Sequence, residues 1–534
     1  MKKLKHILFV LLVAGMLLPA IQKAFQLLKE NPLHGDFVLA EKPTLAKAGW
    51  FSGSFQTQFD SYLEQHIGFR PFLVRLNNQL DFSLFRKANA EGVVIGKEDF
   101  LYEYDYIRAY TGKDFVGEKI INEKMTRLKF LQVYLKDSLD IDLVLVFEPG
   151  KASFYPEFIP DRFLAEAKPE TNYAKLLKTA KEINVNFLDL NQYFLNLKSK
   201  AKYPLFPKYG THWSVYGMSF AADTMLKTIE QLRNIELLEV KHDSLFVSLV
   251  PLKTDNDVEK PMNLLISLPP SELAYPIFTF EEDTTITKPE VLVVADSYYW
   301  NIFNARIPKH VFANEAFWYF NAKVYPDSYE KPLFVRNLKL QKEVEKQHVV
   351  FLMVTERFMY KFDWGFIDDI YQLYTPQGLQ SPVYDQLSHL LKDETLFASL
   401  LNKSAKNNIS LEELLWAEAK YQFRRDDKKA YLQFFGTAWF EAVIAADKEW
   451  SDAVAAKAKK RNISFDEMLY LDADYIFKQQ YPGLHQKYHR TNYFKSMIKK
   501  DSSKLEQAKN LADFYHCPIE RVIQYQAEML VEEE

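Results

Sequence analysis

The sequence predicts an α/β domain with a mostly parallel sheet, followed by an all-α helical-repeat domain. Four continuous apolar runs are typical of strands that are buried on both faces. Helical patterns lie between the earlier runs, as in domains built around a parallel sheet. After about residue 370 the strand signals end and a repeat with a period of 54 residues begins. The four runs are 142–147, 185–190, 291–294 and 349–354.

Composition excludes several classes of protein. Aromatic residues make up 15% of the 534 residues, far more than a disordered chain carries. The single cysteine, Cys517, excludes a disulfide framework and a multi-cysteine metal site. The net charge is −4 and the C-terminal third is not basic, so we predict no nucleic-acid partner. No sequence motif indicates a cofactor or a metal.

The N-terminus has the pattern of an export signal. Lys2, Lys3 and Lys5 precede an apolar run from Ile7 to Ile21, and no Ala-x-Ala cleavage site follows. We therefore interpret residues 1–28 as a signal anchor or signal peptide and favour the anchor. The lysines should stay cytoplasmic, which places the rest of the chain outside.

The repeat is visible in three aligned segments and in the residues that precede them. The three segments are 409–415, 463–469 and 517–523. The same spacing of 54 residues separates Asp393, Asp447 and Asp501. Ser410 with Glu413 and Ser464 with Glu467 have the spacing of capping boxes at helix starts. We predict a helical repeat domain over 385–534.

Ser297 and His212 are the residues that could carry chemistry. Ser297 follows a buried strand, and the carboxyl ends of parallel strands are where ligands bind. A serine in that place is by itself more typical of a helix N-cap. His212 stands just before a predicted helix, where a neutral imidazole can take the proton of a serine hydroxyl.

Several motifs resemble one family in the same order. Thr211-His212-Trp213-Ser214 resembles the Asp-x-His-Trp motif of the SGNH-hydrolase-like alginate O-acetylation family (AlgJ/AlgX-like) and its DHHW relatives, and Asp296-Ser297 resembles its nucleophile block. Segments 96–102, 151–156 and 355–358 are similar to further family motifs. The likeness covers about 36–365, so an SGNH-hydrolase-like domain is predicted over 36–368.

The resemblance implies an exported O-acetyltransferase, or an acetylesterase, that acts on a cell-surface polysaccharide. It also implies a membrane-bound O-acyltransferase as the acetyl donor. With the N-terminal apolar segment as the tether, we expect a periplasmic protein attached to the inner membrane. The catalytic residues it suggests are Ser297, His212, Asp296 and Glu356. Backbone amides after Ser297 would bind the oxyanion. The aromatic residues proposed to stack on sugar rings are Trp213, Tyr298 and Tyr299, with Trp300 and Trp318 as further candidates.

Gly210 departs from the family pattern, because the triad aspartate of the family stands two residues before the histidine. A working Ser–His dyad, another acid such as Glu356 or Asp189, and a site that only binds are the three possible outcomes. Asp296 is a poor substitute, since adjacent side chains on a strand end point apart. The alternative function is a catalytically impaired glycan-binding or assembly subunit of a polysaccharide-acetylation complex.

His485 and His489 are four residues apart, as in a helical zinc site. Gln486 stands where a His-Glu-x-x-His motif needs its glutamate. The sequence therefore favours a solvated histidine pair over a metal site.

Overall fold

The computed structural model describes residues 2–35, 38–164, 169–242, 244–281, 283 and 285–534. The predicted start of the SGNH-hydrolase-like domain, residue 36, lies outside these ranges. The chain begins with four helices: α1 (Lys2–Phe25), α2 (Lys47–Ser52), α3 (Ser54–His66) and α4 (Arg70–Phe85). By length and composition the segment Lys3–Phe25 can cross a membrane, and its apolar part is not buried in the rest of the chain.

A short turn, residues 67–69, separates α3 from α4. A side chain at Gly68 would lie 2.3 Å from the carbonyl oxygen of Pro19, so glycine is what lets this turn pack against α1. Pro71 lies in the first turn of α4, where its missing N–H costs no helical hydrogen bond.

The described residues after α4 include twelve strands, most of them short. They are β1 (Val93–Ile95), β2 (Leu101–Glu103), β3 (Asp142–Glu148), β4 (Phe187–Asp189), β5 (Val240–Lys241), β6 (Leu245–Ser248), β7 (Leu273–Pro276), β8 (Thr279–Phe280), β9 (Val291–Ala295), β10 (Phe317–Tyr319), β11 (Lys323–Tyr325) and β12 (Val349–Thr355).

The main sheet has six strands in the order β11-β10-β9-β12-β3-β4. The pairs β10–β9, β9–β12, β12–β3 and β3–β4 are parallel, and only the pairing of β10 with β11 at the edge is antiparallel. Because strand side chains alternate between faces, Leu145 and Leu352 join one hydrophobic core and Val146 and Met353 join the other. Burial on both faces explains why the runs that form β3, β9 and β12 have no polar alternation. The run 185–190 forms the edge strand β4, which is half-buried, so its predicted burial on both faces is wrong. The parallel sheet confirms the predicted fold class.

Helices cover both faces of the sheet and connect its strands. They are α5 (Tyr104–Tyr110), α6 (Glu118–Leu139), α7 (Lys151–Phe154), α8 (Asn172–Glu182), α9 (Leu190–Leu197), α10 (Val215–Arg233), α11 (Tyr299–Asn304), α12 (Ile307–Val311), α13 (Leu340–Glu345) and α14 (Phe366–Tyr374).

The C-terminal part of the chain is helical throughout its described length. Its helices are α15 (Pro382–Lys392), α16 (Glu394–Asn407), α17 (Leu411–Asp426), α18 (Lys428–Ala446), α19 (Lys448–Arg461), α20 (Phe465–Gln480), α21 (Pro482–Lys500), α22 (Ser502–Phe514) and α23 (Ile519–Glu533). The starts of α16, α19 and α22 are 54 residues apart, as are those of α17, α20 and α23. The predicted boundaries at 368 and 385 fall inside α14 and α15.

Capping explains part of the repeat. The side chains of Asp393, Asp447 and Asp501 accept hydrogen bonds from amides in the first turns of α16, α19 and α22. Ser464 caps α20 through the amide of Glu467, whereas Ser410 makes no side-chain cap bond, so the first predicted capping box is wrong.

The helical part packs against the sheet domain along α6. Arg521 of α23 donates two hydrogen bonds to Glu123 of α6, at 2.8 and 3.1 Å, and the amide of Lys119 donates to Glu412 of α17 at 2.9 Å. One continuous hydrophobic core runs from the sheet into α15–α17. These contacts hold the first and third repeats against the face of the sheet domain.

Candidate active site

Ser297 lies just beyond the carboxyl end of β9, two residues before α11 begins. Its neighbour Asp296 is fully buried, whereas Ser297 itself is half-buried. The serine hydroxyl therefore lies in the crevice above the sheet, where parallel α/β folds place their ligands.

The histidine loop is fixed by the residues on either side of His212. Ser214 accepts a hydrogen bond from the Gly217 amide at 2.9 Å, which caps α10, and Trp213 is fully buried. His212 is left with 12% of its side chain exposed. Its Nε2 atom lies 2.8 Å from the hydroxyl oxygen of Ser297, so the structure brings together two residues that are 85 positions apart.

Asp257 completes the arrangement behind the imidazole. Its Oδ2 atom lies 2.5 Å from Nδ1 of His212, and its Oδ1 atom accepts a hydrogen bond from the Thr211 amide at 2.8 Å. An ionised carboxylate there favours the tautomer with the proton on Nδ1, which leaves Nε2 free to accept the serine proton. Asp257 stands in an irregular loop without a motif, so no pattern in the sequence indicated it.

Gly210 explains why the acid comes from this second loop. A side-chain carbon at position 210 would lie 2.8 Å from the carbonyl oxygens of Thr254 and Asp255. The amides of Val258 and Glu259 both donate to the Tyr209 carbonyl at 3.2 Å, which fastens the loop to the histidine segment. The space that an aspartate at 210 would occupy is therefore filled by the loop that carries Asp257.

Glu356 and Asp189 do not support the imidazole, which corrects the assignment of Glu356 as a catalytic acid. Glu356 is buried and accepts hydrogen bonds from Ser153 and Asn191. Asp189 caps α9 and accepts from the Tyr173 hydroxyl. Within the described ranges, no hydrogen bond joins either carboxylate to His212. Glu356 instead ties the end of β12 to the segment after β3.

Asp296 holds the serine turn in place and does not contact the imidazole by a hydrogen bond. Its carboxylate accepts from the Tyr298 amide at 3.0 Å and from the amide and hydroxyl of Thr355 at 3.0 and 2.7 Å. Glu148, at the end of β3, is buried beside Asp296. Its pKa is raised well above its usual range, mainly because it is buried and also because the Asp296 carboxylate is near. Asp296 thus joins the ends of β9 and β12 and occupies the Tyr298 amide, which the oxyanion expectation had included.

The three aromatic residues predicted to stack on sugar rings are buried in the core, which corrects that assignment. Trp213 and Tyr298 are fully buried, and their ring centroids lie 5.0 Å apart. Tyr299 is 1% exposed and packs edge-to-face on Phe317. The Tyr298 hydroxyl donates to the Thr211 carbonyl at 2.8 Å, so Tyr298 is a positioning residue for the histidine loop.

Two basic side chains stabilise the same loop. The ammonium of Lys151 donates to the carbonyls of Lys208 and Gly210 at 2.9 and 2.6 Å, and burial lowers the pKa of Lys151 to about 7. Arg357 pairs with Glu103, and Glu103 accepts a hydrogen bond from the Thr211 hydroxyl at 3.2 Å. The segments of the predicted motifs therefore meet around the residues next to His212.

The arrangement Ser297–His212–Asp257 has the parts that acyl transfer by a serine nucleophile requires: nucleophile, base and orienting acid. The three side chains are hydrogen-bonded to one another in series. The group of metal-ligand side chains found in the described part of the chain lies elsewhere, in the helical repeats.

Comparisons with known proteins support the resemblance that the motifs predict. Residues 93–248 match the family model described as the SGNH hydrolase-like domain of acetyltransferase AlgX. The matched segment contains His212 but ends before Asp257 and Ser297. No curated protein matches the chain.

Three solved structures are similar to the chain at low identity. The O-acetyltransferase domain of Pseudomonas putida AlgJ is 19% identical, over 53% of this chain and 99% of its own, with a TM-score of 0.35. AlgX of Pseudomonas aeruginosa is 14% identical, over 52% of this chain and 67% of its own, with a TM-score of 0.35. PatB1 of Bacillus cereus is 12% identical, over 51% of this chain and 99% of its own, with a TM-score of 0.30.

Proposed function

We propose that this chain, which carries an SGNH hydrolase-like domain of the AlgJ/AlgX-like acetyltransferase family, is an exported O-acetyltransferase that modifies a cell-surface polysaccharide. The observation that carries the proposal is the hydrogen-bonded series from Ser297 through His212 to Asp257. The family match supports acetyl transfer as the chemistry. A polysaccharide as the acceptor is what the resemblance of the sequence motifs implies.

In the first half-reaction the Ser297 oxygen attacks the carbonyl carbon of an acetyl donor while His212 Nε2 takes the hydroxyl proton. Asp257 stabilises the resulting imidazolium. The tetrahedral intermediate then expels the donor's leaving group, which takes the proton from His212. The product is an acetyl ester on Ser297.

In the second half-reaction a sugar hydroxyl attacks this ester. His212 takes the proton of the sugar hydroxyl and then returns it to the Ser297 oxygen as the acetyl group leaves. Water in place of the sugar would give acetylesterase activity with the same residues. Ser297 is half-buried and 12% of the His212 side chain is exposed, so a hydroxyl group can reach the pair from solvent at the carboxyl edge of the sheet.

The apolar helix α1 supports export, since it is compatible with an anchor or a signal. We assign the protein to the periplasm, tethered to the inner membrane, with a membrane-bound O-acyltransferase as its acetyl donor. The impaired-subunit alternative depended on the missing acid at Gly210, and the contact of Asp257 with His212 favours the enzyme instead.

The test is turnover of a chromogenic acetyl ester by the full chain in detergent. Ser297→Ala and His212→Ala should each lower turnover by at least about 10³-fold. Ser244→Ala, on an exposed serine, and His242→Ala, on a histidine paired with Asp223, are the matched controls. Equal turnover in the wild type and both site variants would refute the proposal.

Transfer is distinguished from hydrolysis by adding an oligosaccharide acceptor. Mass spectrometry should then show an increase of about 42 Da per acetyl group on the acceptor. Release of acetate alone, with an unmodified acceptor, would favour the esterase.

A further inference from the structure

Two histidines and one aspartate converge in the middle helical repeat, away from the Ser297 site. His485 and His489 lie four residues apart on one face of α21, and Asp474 lies on the neighbouring helix α20. The Oδ1 atom of Asp474 is 3.0 Å from Nε2 of His485 and 2.6 Å from Nε2 of His489. One ligand atom from each of the three side chains lies within 4.8 Å of the other two.

The shared carboxylate oxygen is held from a third helix as well. Thr437 of α18 donates its hydroxyl proton to the same Oδ1 atom at 3.2 Å. The exposed fractions of the His485, Asp474 and His489 side chains are 15%, 26% and 37%, so the group is open to an ion from solvent.

The first repeat shows that packing does not require these residue types. The positions 54 residues earlier are Lys420, Tyr431 and Phe435, on the corresponding helices α17 and α18. There the Tyr431 and Phe435 rings pack 4.7 Å apart, and the Lys420 ammonium lies 5.7 Å from the Phe435 ring. An aromatic pair and a cation thus fill the place that two imidazoles and a carboxylate take in the middle repeat.

The spacing of the three atoms fits a small divalent transition metal. Metal–ligand distances of about 2.0–2.1 Å in a tetrahedron place neighbouring ligand atoms about 3.3 Å apart. The nitrogen–oxygen distance is 3.0 Å for His485 and 2.6 Å for His489, shorter than that value by about 0.3 and about 0.7 Å. Both imidazoles would therefore move away from Asp474 to admit the ion, and His489 would move more. Both imidazoles would carry their proton on Nδ1 and present the Nε2 lone pair to the metal.

We propose that Asp474, His485 and His489 form a three-ligand binding site for a divalent transition metal of the zinc type, with water completing the coordination. Imidazole and carboxylate ligands suit such ions. The sequence favoured a solvated pair because Gln486 replaces the motif glutamate. In that motif the glutamate is the general base and the two histidines are the ligands, so Gln486 does not exclude metal binding. The third ligand, Asp474, comes from the neighbouring helix α20.

The test is metal binding by the full chain in detergent after treatment with a chelator. Calorimetric titration with zinc chloride should show one equivalent bound, and cobalt chloride should give the visible absorption bands of a tetrahedral site. Asp474→Asn should lower zinc affinity by at least about 10²-fold, because the asparagine keeps the shape but loses the charged ligand. His489→Phe and His485→Tyr, which introduce the residues of the first repeat, should do the same.

His389→Phe, on an exposed histidine of α15, is the matched control and should bind zinc like the wild type. Circular dichroism checks that each variant keeps its helices. If the aromatic variants do not fold, Asp474→Asn decides the outcome alone. No bound equivalent, or equal affinity in the wild type and Asp474→Asn, would mean a hydrogen-bonded cluster only and would overturn the proposal. Because ester turnover is not measured, failure here is separate from failure of the acetyltransferase proposal.

Discussion

Replacing Asp257 with asparagine removes the charge behind His212 while nearly preserving the shape of the loop. The amide oxygen of the new side chain can still accept from the Thr211 amide, but its NH₂ group then faces Nδ1 of His212. The imidazole must turn its lone pair to Nδ1 and carry its proton on Nε2. In that tautomer it donates a hydrogen bond to Ser297 and cannot take the serine proton.

The size of the effect follows from the geometry. The His212 and Asp257 side chains are 12% and 25% exposed, so an effective dielectric constant near that of a protein surface applies to the imidazolium–carboxylate pair. Opposite unit charges about 4 Å apart then attract by about 4 kcal/mol. That energy corresponds to a rate factor of about 10³. The wrong tautomer can raise the loss to about 10⁴-fold, as in serine hydrolases whose triad aspartate is replaced.

The assay compares ester turnover of the wild type with that of Asp257→Asn and of Asp223→Asn. Asp223 forms the matched control because its Oδ2 atom also pairs with a histidine, His242, at 2.8 Å, outside the Ser297 site. We expect kcat to fall by about 10³–10⁴-fold in Asp257→Asn and to stay within a factor of two or so in Asp223→Asn. A fall of less than about tenfold in Asp257→Asn would refute the role of Asp257.

Three further predictions concern the same loops. Gly210→Ala should lower the free energy of unfolding by about 1–3 kcal/mol, because the added methyl group would lie 2.8 Å from two carbonyl oxygens. Thermal unfolding measures this loss. Gly483→Ala is the control and should change stability little, because the space around Gly483 is open. Tyr298→Phe should lower kcat more than it changes KM for an oligosaccharide, because the lost hydroxyl holds the Thr211 carbonyl and the buried ring does not reach substrate; a rise in KM with constant kcat would contradict this. Asp255→Asn should stabilise the protein at pH 8 by up to about 4 kcal/mol, because burial raises the pKa of Asp255 to about 7 from a usual value near 4. As the pH rises, Asp255 ionises in the unfolded chain before it ionises in the folded protein, so Asp255 destabilises the fold increasingly between about pH 4 and 7. Denaturant unfolding should therefore show a smaller stabilisation by Asp255→Asn at pH 4.5 than at pH 8. An equal stabilisation at both pH values would contradict the raised pKa.

The fold class could be predicted because it depends on patterns that are local in the sequence. Strands such as β3 and β12 are apolar on both faces, and burial on both faces of a sheet requires that composition. The repeat was readable because each unit must begin its helices with a capping residue, which Asp393, Asp447 and Asp501 provide. The strand β10 and the edge strand β11 beside it were missed because they have three residues each, too few for a period to show.

The sequence by itself also determined the two residues at the centre of the proposed chemistry, since Ser297 follows a strand and His212 precedes a helix. Asp257 could be assigned only from the tertiary structure, because it lies in an irregular loop 45 positions from His212 and only folding against Gly210 brings it there. The burial of Trp213, Tyr298 and Tyr299 also followed only from the tertiary structure, because it depends on which rings meet in the core. The contact of Asp474 with His485 and His489 likewise depends on how two helices pack. Local patterns decide which elements form, whereas contacts between distant loops and helices depend on how those elements pack.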